Sequence, residues 1–194
     1  MGAGKSTVGA RVAELTARPF VDLDRLIERR QGPIGELFER GEPEFRQIEE
    51  GILAEALAGP DAVIALGGGT VLSPLNRERL RSRALTVFLD VDVETAWQRV
   101  RGSDRPLARR EEDFRALYAT RQEVYAEAAD AVAGDANGVL RAGLAVELGG
   151  RVVPSGPVGV VADERVLELH AQPVDGSVHR LPAGEAAKTL AVVE

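Results

Sequence analysis

The sequence predicts an α/β protein in which helices cover both faces of a parallel sheet, giving three layers. Apolar, strand-like runs alternate with amphipathic, helix-like segments through residues 1–148, a pattern that produces parallel sheets. A glycine-rich stretch, GAGKST, stands directly before the first such helix. Acidic residues at 22–24 and glycines at 67–69 each follow a strand-like run, and ligands bind at the carboxyl ends of the strands in such sheets.

Apolar spacing and helix breakers divide the first part of the chain into elements. Val8, Val12 and Leu15 recur at helical spacing, and Pro19 cannot continue that helix. Asp24 is a suitable N-cap for the helix that follows the strand-like PFVDLD. The predicted elements are a helix over 5–17, a strand over 19–24, and helices over 24–30, 32–40 and 42–58.

The second part alternates in the same way. The apolar run AVIAL enters three glycines, and Gly102 ends a helix that contains Trp97. Trp97 and Phe88 are predicted core residues, whereas residues 103–113 are charged, lack a long apolar face and are predicted to form a loop. The predicted elements are a strand over 62–66, a helix over 75–83, a strand over 84–92, helices over 93–102 and 113–129, a weak strand, and a helix over 136–150.

The composition changes after residue 148. Residues 149–157 are rich in glycine and proline and are predicted to form a linker. The predicted domains are therefore residues 1–148 and 158–194, and about 40 residues are too few for the second to bury a core alone. Its predicted elements are a strand over 158–163, a helix over 164–172, a strand over 177–182 and a turn over 183–189, which resemble the beginning of a second α/β unit.

The composition also excludes several classes of site. The chain has no cysteine and two histidines, so any metal is expected to be a hard cation such as Mg²⁺ held by oxygen. A net charge of −7 argues against binding nucleic acid through a broad basic surface. No apolar run is long enough to span a membrane, and residues 1–20 lack the pattern of a signal peptide. These observations favour a cytoplasmic enzyme with a small-molecule substrate.

The stretch GAGKST at 2–7 supplies the last part of the phosphate-binding pattern G-x-x-x-x-G-K-[ST]. In such a loop, backbone N–H groups surround phosphate oxygens, and the N-terminus of the next helix adds its positive dipole end. Lys5 would reach the β- and γ-phosphates, and the Ser6 hydroxyl would hold Mg²⁺. The alternative is a glycine-rich helix start, but the amphipathic helix directly after the stretch favours phosphate binding.

Three further motifs admit both a functional and a purely structural interpretation. Asp22 and Asp24 could face Mg²⁺ and an acceptor hydroxyl, or they could be a helix cap and a solvated acid. Arg46 and Glu49 lie three apart on a predicted helix, which in isolation indicates an ordinary surface ion pair. The glycines at 67–69 let a ligand approach closely because no Cβ intrudes, whereas a plain turn seldom needs three.

Two arginine-containing segments are less specific. SDRPLARR at 103–110 could carry a lid arginine that neutralises charge on a transferring phosphoryl group; without the glycine-rich loop it would be a solvated charge run. Arg121 and Tyr125 lie one turn apart on a predicted helix, and alone they indicate no particular function.

Taken in order, GAGKST, DLD, FRQIE, GGG, RPL and R-x-x-x-Y resemble shikimate kinase, a small P-loop kinase of aromatic amino-acid biosynthesis. Six motifs in the right order are far more specific than any one of them. The resemblance implies ATP and Mg²⁺ as cofactors, and transfer of the γ-phosphoryl group of ATP to the 3-hydroxyl of shikimate. It also implies the P-loop kinase sheet of order 2-3-1-4-5, whose first and central strand would precede the phosphate loop.

The resemblance assigns roles to individual residues. Asp24 would orient the acceptor hydroxyl and accept its proton, Asp22 would help to place the metal through water, and Arg105 of RPL would be the lid arginine facing ATP. Lys5, Asp24 and Arg105 are therefore the predicted catalytic residues. The predicted ligands are Gly2, Ala3, Gly4, Lys5, Ser6, Thr7 and Arg105 for the nucleotide, Asp24, Arg46, Gly68 and Arg121 for shikimate, and Ser6 and Asp22 for the metal.

The tail resembles a different enzyme. VVADERV at 160–166 and LPAGEAAKT at 181–189 resemble the start of 3-dehydroquinate synthase, whose NAD-contacting stretch has the form D-G-E-x-x-K. Gly184, Glu185 and Lys188 match, while Ala183 stands where an aspartate is usual. Together the two resemblances imply a fused kinase and synthase, cut short in the second enzyme. NAD would serve only the intact synthase, and residues 158–194 are expected to show neither synthase activity nor independent NAD binding.

Three functional hypotheses follow. The first is an active shikimate kinase. The second is another small-molecule kinase, of gluconate or a nucleoside monophosphate, which FRQIE with GGG argues against because those positions build a pocket for a carboxylate-bearing ring. The third is an inactive fragment, because no strand stands before the phosphate loop. On this last ground we expect Met1 to be an internal residue of a longer chain and the central place in the sheet to be missing its strand.

Overall fold

The computed structural model describes residues 2–102, 110–147, 161–163, 179–181 and 189–193, with side chains as far as residue 144. Within these ranges it forms helices, strands and one short 3-10 helix at Thr70–Leu72. The helices are α1 Lys5–Leu15, α2 Leu23–Gln31, α3 Ile34–Arg40, α4 Glu42–Ala58, α5 Pro74–Arg83, α6 Val93–Val100, α7 Glu111–Ala128 and α8 Ala136–Glu147. The strands are β1 Phe20–Asp22, β2 Val63–Ala65, β3 Ala84–Leu89, β4 Ala131–Ala133, β5 Val161–Asp163, β6 His179–Leu181 and β7 Thr189–Val193.

The helices predicted from apolar spacing in the first 148 residues are all present, with ends that shift by up to three residues, and α4 has the bounds predicted for it. One cap was assigned wrongly. Asp22, not Asp24, caps α2, since its Oδ1 accepts a hydrogen bond from the backbone N–H of Arg25 at 3.1 Å. The helix starts one residue earlier than predicted, at Leu23. Its start there places Leu23 one turn before Ile27 on the same face, and both side chains are completely buried.

Five strands form one parallel sheet in the order β1-β2-β7-β3-β4. Every residue of β2 and β3 is buried, as expected for strands that helices cover on both faces. Asp22 at the end of β1 pairs in register with Ala65 at the end of β2. The predicted acids and glycines therefore emerge at the same edge of the sheet.

The central place in this sheet differs from the expectation. We expected it to lack a strand, but Thr189–Val193 occupies it and pairs in parallel with β2 on one side and β3 on the other. The last element predicted from the sequence is a turn over 183–189, and no strand is predicted after it. Strand pairing between distant segments is non-local, so no pattern within 189–194 predicts this partner.

The two strands predicted for the second unit are present as β5 and β6, which pair with each other in a separate parallel ladder. The helix predicted over 164–172 between them lies outside the described residues, as does the linker over 149–157. The domain boundaries therefore stay predictions.

Apolar side chains pack on both faces of the five-stranded sheet. Neighbouring residues of a strand point to opposite faces, so Val63 and Val87 pack with α1 and α8. Ile64 and Phe88 pack in the core that includes α2, α4, α5 and α7. Phe88 is thus a core residue as predicted, and partly buried Trp97 packs against Phe114 with ring centroids 5.4 Å apart. Among the described helices, none has the length and apolar character needed to cross a membrane.

Candidate active site

The glycine-rich stretch forms a tight loop that leads into α1. Gly2 and Gly4 have φ angles of 86° and 88°, which side chains other than glycine rarely adopt. A Cβ on Gly2 would also overlap the carbonyl oxygen of Ala96 in α6. Gly4 stands at the N-cap of α1 without a side chain to cap it, so backbone N–H groups of the first turn remain available to an anion.

Arg99 of α6 braces this loop from outside. Its Nη1 donates hydrogen bonds to the carbonyl oxygens of Gly2 and Ala3 at 3.1 and 3.2 Å. Arg99 belongs to no motif in the sequence, because the contact joins residues almost a hundred positions apart. The loop is thus held by α6 as well as by the start of α1.

The two predicted metal ligands meet in the structure. Ser6 Oγ donates a hydrogen bond to Asp22 Oδ2 at 2.6 Å, while Asp22 Oδ1 caps α2. Both side chains offer oxygen, the donor that Mg²⁺ prefers. Within the described residues no group of three or more histidines, cysteines or acids is placed to hold a metal. The hydroxyl and carboxylate of the Ser6–Asp22 pair suit a cation such as Mg²⁺, which binds through one or two protein oxygens and keeps water and phosphate as its other ligands.

Three polar side chains converge on Gly67. A Cβ at this position would lie 2.6 Å from Asp24 Oδ1, 2.9 Å from Glu49 Oε1 and 3.0 Å from Thr70 Oγ1. The first glycine of the GGG motif therefore makes room for two carboxylates and a hydroxyl beside the end of β2. This places Asp24 in the same corner of the site as the α4 side chains.

Glu49 corrects the interpretation of FRQIE as an ordinary surface ion pair. It is 1% exposed and accepts hydrogen bonds from Thr70 Oγ1 at 2.6 Å and from Arg46 Nη1 at 2.7 Å. Burial raises the pKa of its carboxyl group. A signal was present in the sequence, because Glu49 lies four residues after Phe45 and three before Ile52, on the apolar face of α4.

A buried amide extends this network behind Glu49. Asn76 is completely buried, and its Nδ2 donates a hydrogen bond to the carbonyl oxygen of Thr70 at 2.9 Å. Thr70 in turn donates to Glu49. Neither Thr70 nor Asn76 was a predicted site residue, and together they fix the carboxylate that holds Arg46.

The Arg46 guanidinium is held from several sides. Its Nη2 bonds Glu42 at 3.0 Å, and its Cζ lies 5.2 Å from the centre of the Phe45 ring. A Cβ on Gly69 would come within 2.5 Å of Nη2, so the last glycine of the GGG motif makes room for this group. The side chain is 20% exposed, which leaves part of the guanidinium open to a ligand.

Arg121 and Tyr125 of α7 meet the middle glycine from the other side. Arg121 Nη1 and Tyr125 Oη both donate hydrogen bonds to the carbonyl oxygen of Gly68, at 3.2 and 2.7 Å. Burial raises the pKa of the Tyr125 hydroxyl. The R-x-x-x-Y spacing alone indicated no function. It places both side chains on one face of α7, where each donates a hydrogen bond to Gly68.

A narrow cleft lies between the glycine-rich loop and α7. It is lined by Ala3 of the phosphate loop and by Phe88, Tyr118, Arg121 and Tyr125, among others. The structure therefore brings the loop at 2–7 and Arg121 to one opening. Arg46 reaches the same neighbourhood through Gly68 and Gly69.

The other predicted site residues divide into those outside the described residues and those in the first turn of α1. Arg105 lies outside the described residues, and so do Gly184, Glu185 and Lys188 of the tail. Lys5 opens α1 and is half-buried, and Thr7 is exposed on its first turn. The roles that the motifs assign to these residues stay predictions.

Comparison with known proteins agrees with the motifs. A family model described as shikimate kinase matches residues 1–142. The shikimate kinase of Symbiobacterium thermophilum is 44% identical over 137 residues, which cover 66% of this chain and 79% of that one. The shikimate kinase of Xylella fastidiosa strain M12 is 41% identical over 138 residues, covering 68% and 77%.

Two solved structures share the fold. Shikimate kinase from Aquifex aeolicus aligns with a TM-score of 0.68 at 31% identity and covers 77% of this chain and 95% of that one. Shikimate kinase from Acinetobacter baumannii in complex with shikimate aligns with a TM-score of 0.67 at 36% identity, covering 78% and 90%.

Proposed function

Because the chain belongs to the shikimate kinase family and phosphorylates shikimate for aromatic amino-acid biosynthesis, we propose how its residues share that reaction. The observation that carries the proposal is the convergence of Arg46 from α4 and Arg121 from α7 on Gly68 and Gly69. Two guanidinium groups beside a segment without Cβ atoms form a pocket for a small ring that carries a carboxylate.

Arg46 and Arg121 bind the carboxylate of shikimate in this proposal. A guanidinium fork pairs with a carboxylate through two hydrogen bonds, so a local pair of arginines is enough even in a chain with a net charge of −7. Glu49 does not compete for the substrate, because it is buried and holds Arg46 from behind. Gly68 lies against the ring.

Asp24 orients the 3-hydroxyl of shikimate and accepts its proton. The hydroxyl oxygen then forms a bond to the γ-phosphorus of ATP as the bond from that phosphorus to the β,γ-bridging oxygen breaks, which leaves ADP. Such a transfer needs positioning and charge neutralisation more than covalent catalysis. Lys5 and Arg105 supply positive charge to the phosphates, and backbone N–H groups of residues 2–7 surround them.

The family uses ATP and Mg²⁺, and the donor set described above suits that ion. In this proposal Ser6 would hold the ion directly and Asp22 would do so through water, which the 2.6 Å hydrogen bond between the two side chains supports. When bound, Mg²⁺ neutralises charge on the phosphates.

Several assignments outside the site remain proposals of the same kind. They are a cytoplasmic location, no binding of nucleic acid, a linker over 149–157, and a fused start of a 3-dehydroquinate synthase over 158–194. NAD would serve only the intact synthase. If calorimetry detected NAD binding by this chain, it would contradict the proposal that NAD serves only the intact synthase.

The test of the shikimate site is an ADP-release assay with shikimate, gluconate and AMP as acceptors. Of these three acceptors, we expect only shikimate to support ADP release. Arg46→Ala should raise KM for shikimate by about 10- to 100-fold, because it removes a charge-assisted hydrogen-bonding group, and should leave KM for ATP unchanged. A KM for shikimate that does not change would contradict the assignment of Arg46.

Two further variants separate binding from folding. Arg46→Lys keeps a charge beside buried Glu49 but lacks the fork, so it should fold and still bind shikimate weakly. Arg81→Ala removes an exposed arginine near the C-terminal end of α5 and should leave both KM values unchanged. Equal effects of Arg46→Lys and Arg81→Ala would argue against a carboxylate clamp.

A further inference from the structure

We propose that Thr70 and Asn76 are positioning residues for shikimate: they act through buried Glu49 to fix the direction in which Arg46 presents its guanidinium group. The inference rests on the carboxylate clamp proposed above and deepens it. Thr70 and Asn76 are both completely buried, so any effect that they have on shikimate binding passes through other residues.

The Thr70 hydroxyl holds one oxygen of Glu49 while Arg46 holds the other. Thr70 Oγ1 donates a hydrogen bond to Glu49 Oε1 at 2.6 Å, and Arg46 Nη1 donates to Glu49 Oε2 at 2.7 Å. A carboxylate that is bonded through both oxygens cannot rotate without breaking a bond, and such charge-assisted hydrogen bonds are among the stronger ones. The position of Arg46 Nη1 therefore depends on where Thr70 places its hydroxyl.

Asn76 fixes the backbone that carries this hydroxyl. Its Nδ2 donates a hydrogen bond to the carbonyl oxygen of Thr70 at 2.9 Å, and the backbone N–H of Thr70 donates to the carbonyl oxygen of Gly67 at 3.2 Å. Arg77 Nη1 donates to the carbonyl oxygens of the two residues after Thr70, at 2.7 and 3.2 Å. The turn that follows the GGG motif is thus held by two adjacent side chains of α5.

The start of α5 is itself tied to α4, the helix that carries the FRQIE motif. Ser73 caps α5, and its hydroxyl donates a hydrogen bond to Glu50 Oε1 of α4 at 2.5 Å. Arg79 Nη1 donates to the backbone carbonyl oxygen of Glu50 at 2.9 Å. Because α5 is anchored in this way, Asn76 holds the turn from a fixed position relative to α4.

Asn76 is an unfavourable residue for a position that needs only to be filled. Its Oδ1 is buried without a hydrogen-bond partner among the described residues, and such burial destabilises the folded chain. A leucine of similar size would avoid this penalty but could not bind the Thr70 carbonyl oxygen. The amide is therefore explained by the hydrogen bond that it makes to Thr70 rather than by packing.

The first experiment measures KM for shikimate and for ATP by ADP release in Thr70→Val and Thr70→Ser. Valine has nearly the shape of threonine but no hydroxyl, whereas serine keeps the donor to Glu49. We expect Thr70→Val to raise KM for shikimate at least about fivefold and KM for ATP by less than about twofold. Thr70→Ser should stay within about twofold of the unmodified chain for both. Equal KM values for shikimate in the two variants, or equal increases for shikimate and ATP, would overturn the proposal.

A double variant tests whether Thr70 acts through Arg46. When Arg46→Ala is already present, Thr70→Val should raise KM for shikimate by less than about twofold, because the group that it positions is gone. A full additional increase would overturn the proposal. An unchanged KM in Arg46→Ala alone would instead contradict the clamp. A raised KM in Arg46→Ala with an unchanged KM in Thr70→Val would leave the clamp in place and refute the positioning role.

The last comparison separates positioning by Asn76 from stability. Asn76→Leu removes the donor to Thr70, whereas Leu80→Val shortens a completely buried core residue of the same helix. We expect Asn76→Leu to raise KM for shikimate at least about fivefold. Leu80→Val should lower the midpoint of thermal unfolding but keep this KM within about twofold of the unmodified chain. Equal KM values for shikimate in both variants would overturn the role of Asn76.

Discussion

Glu49 lies within the apolar face of α4, between Phe45 and Ile52, yet it contacts polar groups on two sides. Burial raises the pKa of its carboxyl group, while hydrogen bonds from Thr70 and Arg46 act in the opposite direction. A buried carboxylate that is paired with the Arg46 guanidinium keeps this arginine in one orientation. The cost is that the charged form of Glu49 is less favourable in the folded chain than in water.

Because the charged form of Glu49 is disfavoured in the folded chain, the stability of the chain should fall as pH rises. In the folded chain the pKa of Glu49 is raised above its ordinary value of 4.5. Between pH 4.5 and this raised pKa, the folded chain therefore binds more protons than the unfolded chain. Stability is lost over that interval. We expect urea unfolding from pH 4 to 8 to show the unmodified chain losing stability relative to Glu49→Gln, by about 1.4 kcal/mol for each unit of raised pKa.

The matched control is Glu39→Gln, at an exposed position of α3. Its stability should follow that of the unmodified chain at every pH. Parallel profiles for the unmodified chain and Glu49→Gln would mean that Glu49 titrates as an exposed acid, contrary to its burial.

The phosphate loop shows how one element depends on another. α1 begins directly after Gly4, and α6 approaches so closely that a Cβ on Gly2 would strike the Ala96 carbonyl. Arg99 of α6 bonds two carbonyl oxygens of the same loop. The loop conformation is therefore set jointly by the glycines and by α6.

Gly2→Ala should accordingly disrupt nucleotide binding. The new Cβ would overlap Ala96 at a φ of 86°, and such strain costs about 1–3 kcal/mol. We expect KM for ATP in the ADP-release assay to rise at least about tenfold, the equivalent of about 1.4 kcal/mol, with KM for shikimate much less affected.

Gly51→Ala provides the comparison within a helix. Gly51 is an exposed residue of α4, and a Cβ there would meet nothing within 4 Å. This change should stabilise the chain by about 0.5–1 kcal/mol and leave KM for ATP unchanged. A similar KM for ATP in both variants would contradict the tight fit of Gly2.

The elements themselves were largely predictable, and the exceptions share a cause. α4 was predicted with its observed bounds because its apolar residues repeat at helical spacing, and β3 because its six residues form an apolar run. Asp22 replaced Asp24 as the cap because burial of Leu23 decided where α2 begins. The place of β7 between β2 and β3 was not predicted because these partners are more than a hundred residues away.

The whole kinase unit depends on continuity across one sheet. Apolar clusters on both faces contain residues of β2 and β3, with Val63 and Ile64 on opposite sides. A buried backbone group left unpaired costs about 1–3 kcal/mol, and a typical domain has about 5–15 kcal/mol of stability in total. A sheet interrupted at β7 would therefore lose a large part of its stability.

We expect this unit to unfold in one transition. Trp97 is the only tryptophan of the chain and packs against Phe114 away from the two main clusters, so its fluorescence reports a region different from the far-UV circular dichroism. Thermal curves from the two probes should coincide, as for a two-state domain. Shikimate should move both curves to the same higher temperature by binding the folded state. Fluorescence that changes well below the dichroism would show that α6 and α7 unfold separately.

The sequence by itself determined the α/β class, most of the helices and the family, and it predicted the motif residues of the site. It could do so because helical periodicity is local and the motifs are short runs whose order is specific. Only the tertiary structure decided that Glu49 is buried behind Arg46, that Arg99 braces the phosphate loop, and that residues 189–193 lie between β2 and β3. Each of these depends on which distant residues meet, and burial, hydrogen bonding and strand pairing across such distances leave no periodic or local trace in the chain.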